Sequence, residues 1–388
     1  MFNKVNLDKL ILILLGISFL LTIFIFFIRF GNSISFTYIT HVLTSGYEEE
    51  SLLEIWYNMN NGSMYIDHLS FPYRWTVYNW LFYKFYASAF IILNTIFDLE
   101  LDWLPTTLRL LTLTLSCLLL YVILKTNKIL NSSSKFNFFL SASLIFGLSF
   151  GYWNITVRPD VVSILFEITA LFLFLKYKRN PKNLNLIIIG LILFVAWSFK
   201  QTALIVFCTI NTYFLLNFKI KKIIILVSTC LLLVFLTIFF QNSDYYISTL
   251  YFINTGYDFK IDVLFHNSAK LLSKNLILFS ALLMILYLKF NKITQDIGQL
   301  KKYISSNDSF LFIGLFISIA YFFAVNTNAG ASDNHTFVLI IFLNFLVINN
   351  QTKILTNYIL KKIFVFSIAS YICICISIYI CIGIYGAC

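Results

Sequence analysis

The sequence predicts an all-α polytopic membrane protein with about eleven transmembrane helices. Three observations predict it. Hydrophobic residues make up 60% of the 388-residue chain and charged residues 12%, against roughly 45–50% and about 25% in a soluble domain. Apolar runs approaching the roughly 20 residues of a span recur along the whole length. Every second connection between them is rich in lysine. The 43 Phe and 23 Tyr suit lipid-facing surfaces and interfacial belts. The net charge of +11 therefore reads as membrane topology, and nucleic acid is not an expected partner.

The first apolar run, Leu10 to Ile28, follows Lys4 and Lys9 and ends at Arg29-Phe30 without an Ala-x-Ala pattern. A signal peptide has a shorter apolar core and a small-residue cleavage site. The run reads as an uncleaved span, 10–30, entered from the cytoplasm. Further spans are expected at 107–124, 137–152, 161–177, 184–199, 201–217, 222–240, 275–289, 309–325, 336–349 and 363–385. The positive-inside rule sets their direction. Lys125/Lys128/Lys135, Lys176/Lys178/Arg179/Lys182, Lys219/Lys221/Lys222, Lys289/Lys292/Lys301/Lys302 and Lys353/Lys361/Lys362 mark the cytoplasmic side. The connections between them hold few positives: Arg158, Lys200, Lys260, Lys270 and Lys274.

One apolar stretch, 79–97, breaks the parity. It carries Lys84 amid Trp80, Phe82, Tyr83, Phe85 and Tyr86. The first span runs outward, and 107–124 must run inward to reach Lys125. Residues 79–97 are therefore expected to lie along the outer surface as an interfacial helix. One integral membrane domain over 1–388 follows: first span, large outer loop 31–106, core spans 107–240, outer loop 241–274 and C-terminal spans 275–388. No soluble C-terminal domain is expected, and the C-terminus falls outside. The Lys-, Asn- and Ile-rich composition fits an AT-rich bacterial genome, so a bacterial inner (cell) membrane is the expected location.

The seven cysteines lie in apolar runs or at the last residue, with neither metal spacing nor a disulfide framework. Most of the 17 acids, and His41, His68, His266 and His335, fall on the outer side of this map. Chemistry is expected there.

The densest acidic stretch is GYEEESLLEIWYNMNNGSMYID, residues 46–67. Leu52, Ile55, Trp56 and Met59 recur at i, i+3, i+4, i+7, the spacing of an amphipathic helix. Ser45 and Glu48 fit a capping box, in which Glu48 would satisfy backbone donors of the first turn.

The order of features resembles the membrane glycosyltransferases of the C fold (GT-C), the group of protein O-mannosyltransferases, lipid A aminoarabinose transferases and oligosaccharyltransferase catalytic subunits. Their first outer loop often opens on Asp-Glu, followed by a Glu-Ile-x-x-x-Met helix and a Gly. Here Glu48-Glu49, Glu54-Ile55, Met59 and Gly62 stand in that order. Arg158-Pro159-Asp160 matches the family's second acidic site, and Trp197-Ser198-Phe199-Lys200-Gln201 its lysine at an outer span end. The chain departs from the family in having Glu where the usual base is Asp.

The resemblance implies transfer of a sugar from a polyprenyl-phosphate donor to a hydroxyl of a glycan, lipid or protein acceptor on the outer face. Glu48, with Glu49 next, is the expected base, and Asp160 the second catalytic carboxylate. Asp160 would orient the acceptor, join Glu48 around a divalent cation (Mg or Mn), or cap its own span. Lys200 and Arg158 would grip the phosphate or snorkel to lipid headgroups; Arg158 could also pair with Asp160. Asp67, His68 and His335 are candidate substrate contacts. Glu167 lies inside a span, where a carboxylate is functional by default. Other classes stay open: a lipid or polysaccharide transporter or flippase, and a polysaccharide ligase or polymerase.

Overall fold

The computed structural model describes residues 6–34, 47–60, 62, 64–67, 76–131, 135–241, 243–252, 260–293, 303–327 and 333–385. The helices are α1 (Leu7–Ile34), α2 (Tyr47–Met59), α3 (Trp80–Phe97), α4 (Leu104–Leu130), α5 (Lys135–Phe146), α6 (Pro159–Arg179), α7 (Asn183–Phe199) and α8 (Ile205–Leu216). They continue with α9 (Ile220–Gln241), α10 (Asp244–Phe252), α11 (Ile261–Lys274), α12 (Leu276–Ile293), α13 (Asn307–Val325), α14 (Phe337–Asn349), α15 (Gln351–Thr356) and α16 (Tyr358–Tyr385). No strand occurs among the described residues. In hydrocarbon every backbone polar group must be satisfied within its own segment, which a helix does.

Among the described residues six helices are long and apolar enough to cross a membrane: α1, α3, α4, α9, α13 and α16. The pair α11–α12 would make a seventh but bends by 88°. The spans expected at 137–152 and 201–217 are shorter than drawn, and the one at 336–349 is short as expected. Helices α5 and α8 have 12 residues and α14 has 13, about 18–20 Å at 1.5 Å per residue, against a hydrocarbon core of about 30 Å. Local chemistry shortens each. After α5 the chain turns through Gly147 and Gly151, and the φ of 54° at Gly151 is reached most easily by a residue without a Cβ. Between α7 and α8, Lys200 is extended and the helix restarts at Ile205. A 3-10 turn, Asp333–Thr336, precedes α14.

By length and composition α3 qualifies as a span, so its surface position rests on the lysine pattern alone. Asn79 starts it by accepting the Trp80 N–H, and Asp98, left-handed at φ 50°, ends it. The expected outer loop 241–274 holds two helices, α10 and α11.

The single domain expected over 1–388 falls into two compact units. The first comprises Met1–Ile28, Ile123–Gly151 and Asp258–Cys388; the second comprises Arg29–Val122 and Tyr152–Tyr257. In the first unit α14 is buried from Phe337 to Ile348. Phe150 stacks on Phe337 with ring centroids 4.0 Å apart. Asp308, opening α13, accepts from Lys289, Asn349 and Asn350 at 2.6–2.9 Å and so ties α12, α13 and α14 at one end. In the second unit α2, α3, α4 and α6 share a core of Ile55, Phe82, Tyr83, Tyr86, Leu108, Val157 and Val162. Leu52, Trp56 and Met59 pack on the same core.

Gly314 of α13 packs directly against the Phe342 ring of α14. A Cβ at Gly314 would lie 2.2 Å from the Phe342 ring, which is fully buried and has nowhere to swing. Gly314→Ala should destabilise the protein by about 1–3 kcal/mol through overpacking, read as a lower midpoint of thermal unfolding in detergent. Adding Phe342→Leu should restore part of the loss. An unchanged midpoint for Gly314→Ala would refute the close approach.

Candidate functional site

The site lies in the second unit and starts at the N-terminus of α6. Pro159 takes the first helical position, where its missing N–H costs nothing. That holds Arg158 extended and puts Asp160 in the first turn, beside the positive end of the helix dipole. Asp160 is 1% exposed. Lys200 Nζ lies 2.5 Å from its Oδ1, and Arg158 Nε 3.5 Å from its Oδ2. Arg158 also donates from Nη2 to the Tyr78 hydroxyl at 2.7 Å. Its guanidinium lies over the Trp153 ring, 4.1 Å from the centroid. Lys200 reaches Asp160 because α7 stops there: Lys200 is the extended C-cap, and residues 200–204 are not helical. The expected Arg158–Asp160 pairing is present, with Lys200 as a third member.

Glu48 lies alongside. It is 2% exposed, and its Oε1 accepts from Arg109 Nε at 3.1 Å and from the Val157 N–H at 2.9 Å. The carboxylate therefore turns to α4 and to the residue before Arg158, not back to its own helix start as a capping box requires; Ser45 lies outside the described residues. Burial pushes the Glu48 carboxyl above its usual range, opposed first by Arg109 and then by the Val157 amide, while Glu49 adds to the rise. No hydrogen bond to Oε2 is made among the described residues. Glu49 and Glu50 are exposed. Partial burial and the neighbouring Glu49 also push the Glu50 carboxyl up, with Arg158 opposing.

Residues 76–79 tie these pieces together. Thr76 donates to the buried Glu54 at 3.2 Å. Gln201 donates to the Val77 carbonyl at 3.0 Å, beside Lys200. The Tyr78 hydroxyl receives Arg158, its N–H donates to Tyr83, and its carbonyl receives Tyr65. Asn79 donates to the Trp197 carbonyl and accepts from Tyr246, both at 2.9 Å.

The structure thus brings together Arg158, Asp160 and Lys200, and connects Glu48 to them through Val157. Asp67 is half-buried beyond Tyr65, and His68 lies outside the described residues. His335 belongs to the first unit, where Nδ1 meets the Tyr321 hydroxyl at 3.1 Å. Glu167 pairs across helices: it accepts the Val206 N–H at 3.1 Å and so caps α8. The sequence reading missed Arg109, Tyr78 and Asn79. Arg109 could have been found, since a lone arginine within an apolar run marks a partner by the same rule that singled out Glu167.

No group of three or more His, Cys, Asp or Glu among the described residues could hold a metal ion. Glu48 and Asp160 face guanidinium and ammonium groups, which neutralise them as a metal would. The donor set does not fit a resident divalent cation.

No protein-family model, no curated protein and no solved structure matches the chain.

The Glu48–Arg109 pair has a testable balance. Arg109→Met removes the strongest influence holding the buried carboxyl down, so Glu48 should titrate higher still. A carboxyl whose folded-state value is raised loses stability as pH rises from its unfolded value, about 4.3, through its folded one. The variant should therefore be least impaired in acid and lose about 3–5 kcal/mol near neutral pH, the cost of leaving a buried charge alone. Thermal unfolding at pH 4.5 and 7.5 reads this; a deficit that does not depend on pH would contradict it.

Proposed function

We propose that this chain is a membrane glycosyltransferase of the C fold, moving a sugar from a polyprenyl-phosphate donor to an acceptor hydroxyl at the outer face of a bacterial cell membrane. One observation carries the proposal: the Arg158–Asp160–Lys200 cluster forms beside Glu48. Arg158 and Lys200 set two cations against the one carboxylate of Asp160, with Glu50 also near Arg158. A sugar–phosphate–prenyl diester carries one negative charge. Arg158 supplies planar, directed donors and Lys200 a point charge, the two usual ways of holding phosphate.

In the proposed reaction the acceptor oxygen bonds to the anomeric carbon as the bond from that carbon to the phosphate oxygen breaks. The electron pair leaves with polyprenyl phosphate, whose new charge Lys200 and Arg158 stabilise. The acceptor proton passes to Glu48 through Oε2. Burial makes that carboxylate a stronger base than an exposed glutamate, and general-base help is typically worth ~10²–10⁴-fold. Asp160 holds both cations in place. No step uses a metal ion.

The proposal includes the topology read from lysine parity: about eleven passes, the start of α1 on the cytoplasmic side, and α3 along the outer surface. Reporter fusions at Asp98–Asp102 and at Lys125–Lys135 test it. The first should report outside and the second cytoplasm; cytoplasmic Asp98–Asp102 would overturn the single outer loop.

The transporter or flippase alternative also has an observation in its favour. Helices α7 and α8 are two halves broken at Lys200, with a buried Glu167 at the restart, a pattern that transporters use around their substrates. Proteoliposomes loaded with a panel of polyprenyl-phosphate sugars and hydroxyl acceptors distinguish the two. Wild type should yield a glycosylated acceptor and free polyprenyl phosphate. Glu48→Gln should lose roughly 10²-fold or more of that activity, while Glu49→Gln keeps it. Movement of lipid across the bilayer without product would favour the transporter; activity retained by both variants would remove Glu48 as the base.

A further inference from the structure

Helix α11 lies in the first unit. Its exposed side chains divide into two stripes. Ile261, Phe265 and Leu272 are 57%, 70% and 48% exposed, with Ala269 exposed beside them. Their spacing of i, i+4, i+8, i+11 is a single helical stripe. Asp262, His266 and Ser273 are exposed too and form a second stripe, roughly a quarter turn round at about 3.6 residues per turn. A third side faces protein: Leu271 is buried, and Asn267 donates to Asn326 at 3.2 Å.

The helix is held at both ends. The Lys260 N–H donates to the Thr327 carbonyl at 2.8 Å. At the other end Asn275 breaks the chain and accepts from Ser149 at 2.5 Å. Beyond this pin α12 leaves at 88°. Helix α12 is apolar and carries exposed Leu283, Leu286 and Tyr287, a surface suited to lipid tails. If α12 enters the bilayer, a helix at a right angle to it lies in the membrane plane. One outward stripe then faces the acyl chains and the other faces water. Lys260, Lys270 and Lys274 lie on the same segment.

We propose that α11 is an in-plane membrane helix whose Ile261–Phe265–Leu272 stripe inserts into the lipid surface. The occupant of this stripe is the boundary between headgroups and acyl chains. A helix of this kind binds a membrane surface in proportion to the apolar area it buries there.

Nitroxide scanning of the full-length protein tests it. The seven native cysteines are replaced, single cysteines are introduced as Phe265→Cys, Leu272→Cys, His266→Cys and Leu283→Cys, and the labelled protein is reconstituted in phosphatidylglycerol-containing liposomes. Labels at 265 and 272 should be reached by oxygen more than by a water-soluble nickel chelate, at a shallower depth than the label at 283. The label at 266 should show the reverse preference. Strong chelate access at both 265 and 272 would overturn the proposal. So would protection of both from oxygen and chelate alike, which means that protein covers the stripe: another polypeptide or a second copy of the chain. Two positions on the stripe guard against one variant failing to fold, and folding is checked by comparing unfolding midpoints with the cysteine-free parent.

Discussion

A buried carboxylate held between two cations organises the second unit. Asp160 receives Lys200 from the end of α7 and Arg158 from its own helix start. Burying three charges is costly, and their attraction repays it only when the remaining donors and acceptors are met. Further polar contacts run outward from the cluster. Arg158 rests on Trp153 and bonds Tyr78, and Tyr78 takes hydrogen bonds from Tyr65 and gives one to Tyr83. Gln201, next to Lys200, returns to Val77. The start of α6, the end of α7 and the chain entering α3 are therefore fixed by one connected set of polar contacts. Removing one cation leaves the carboxylate under-compensated and loosens all three.

The same network links Glu48, the proposed base, to the proposed anion grip. Glu48 accepts the amide of Val157, one residue before Arg158. Any shift of the α6 start moves both groups together. Arg109 keeps the Glu48 carboxyl from rising as far as burial alone would push it. Chemistry at neutral pH needs this compromise. A fully neutralised glutamic acid could not take a proton, and a strongly ion-paired one would be too weak a base.

Much of this was legible in the sequence, because charges are rare in an apolar chain and each stands out. Asp160, Arg158 and Lys200 were singled out by position, and they meet. The i, i+3, i+4, i+7 stripe of α2 packs as its spacing requires. Partner choice was not legible. Glu48 opens an acidic run, which looks like a cap, yet its partners come from residues 109 and 157, far along the chain. Tyr78 and Asn79 carry no pattern; their roles arise only when α6, α7 and α10 fold around them. Hydropathy overestimated α5 and α8, because it continues through Gly151 and through the Lys200–Leu204 break without registering that the helix stops. It also concealed α11, whose mixed stripes average out to a loop.

The most direct measurement is the binding of a sugar-free polyprenyl phosphate to the purified protein in detergent, for wild type and Lys200→Met. Methionine keeps an apolar stem and removes the charge. A charge-assisted contact is worth roughly 1.5–3 kcal/mol, so affinity should fall about 10- to 150-fold. Lys84→Met, altering an exposed lysine of α3, should bind as wild type does. Equal affinity for wild type and Lys200→Met, with unfolding midpoints matched, would contradict a phosphate grip at this cluster.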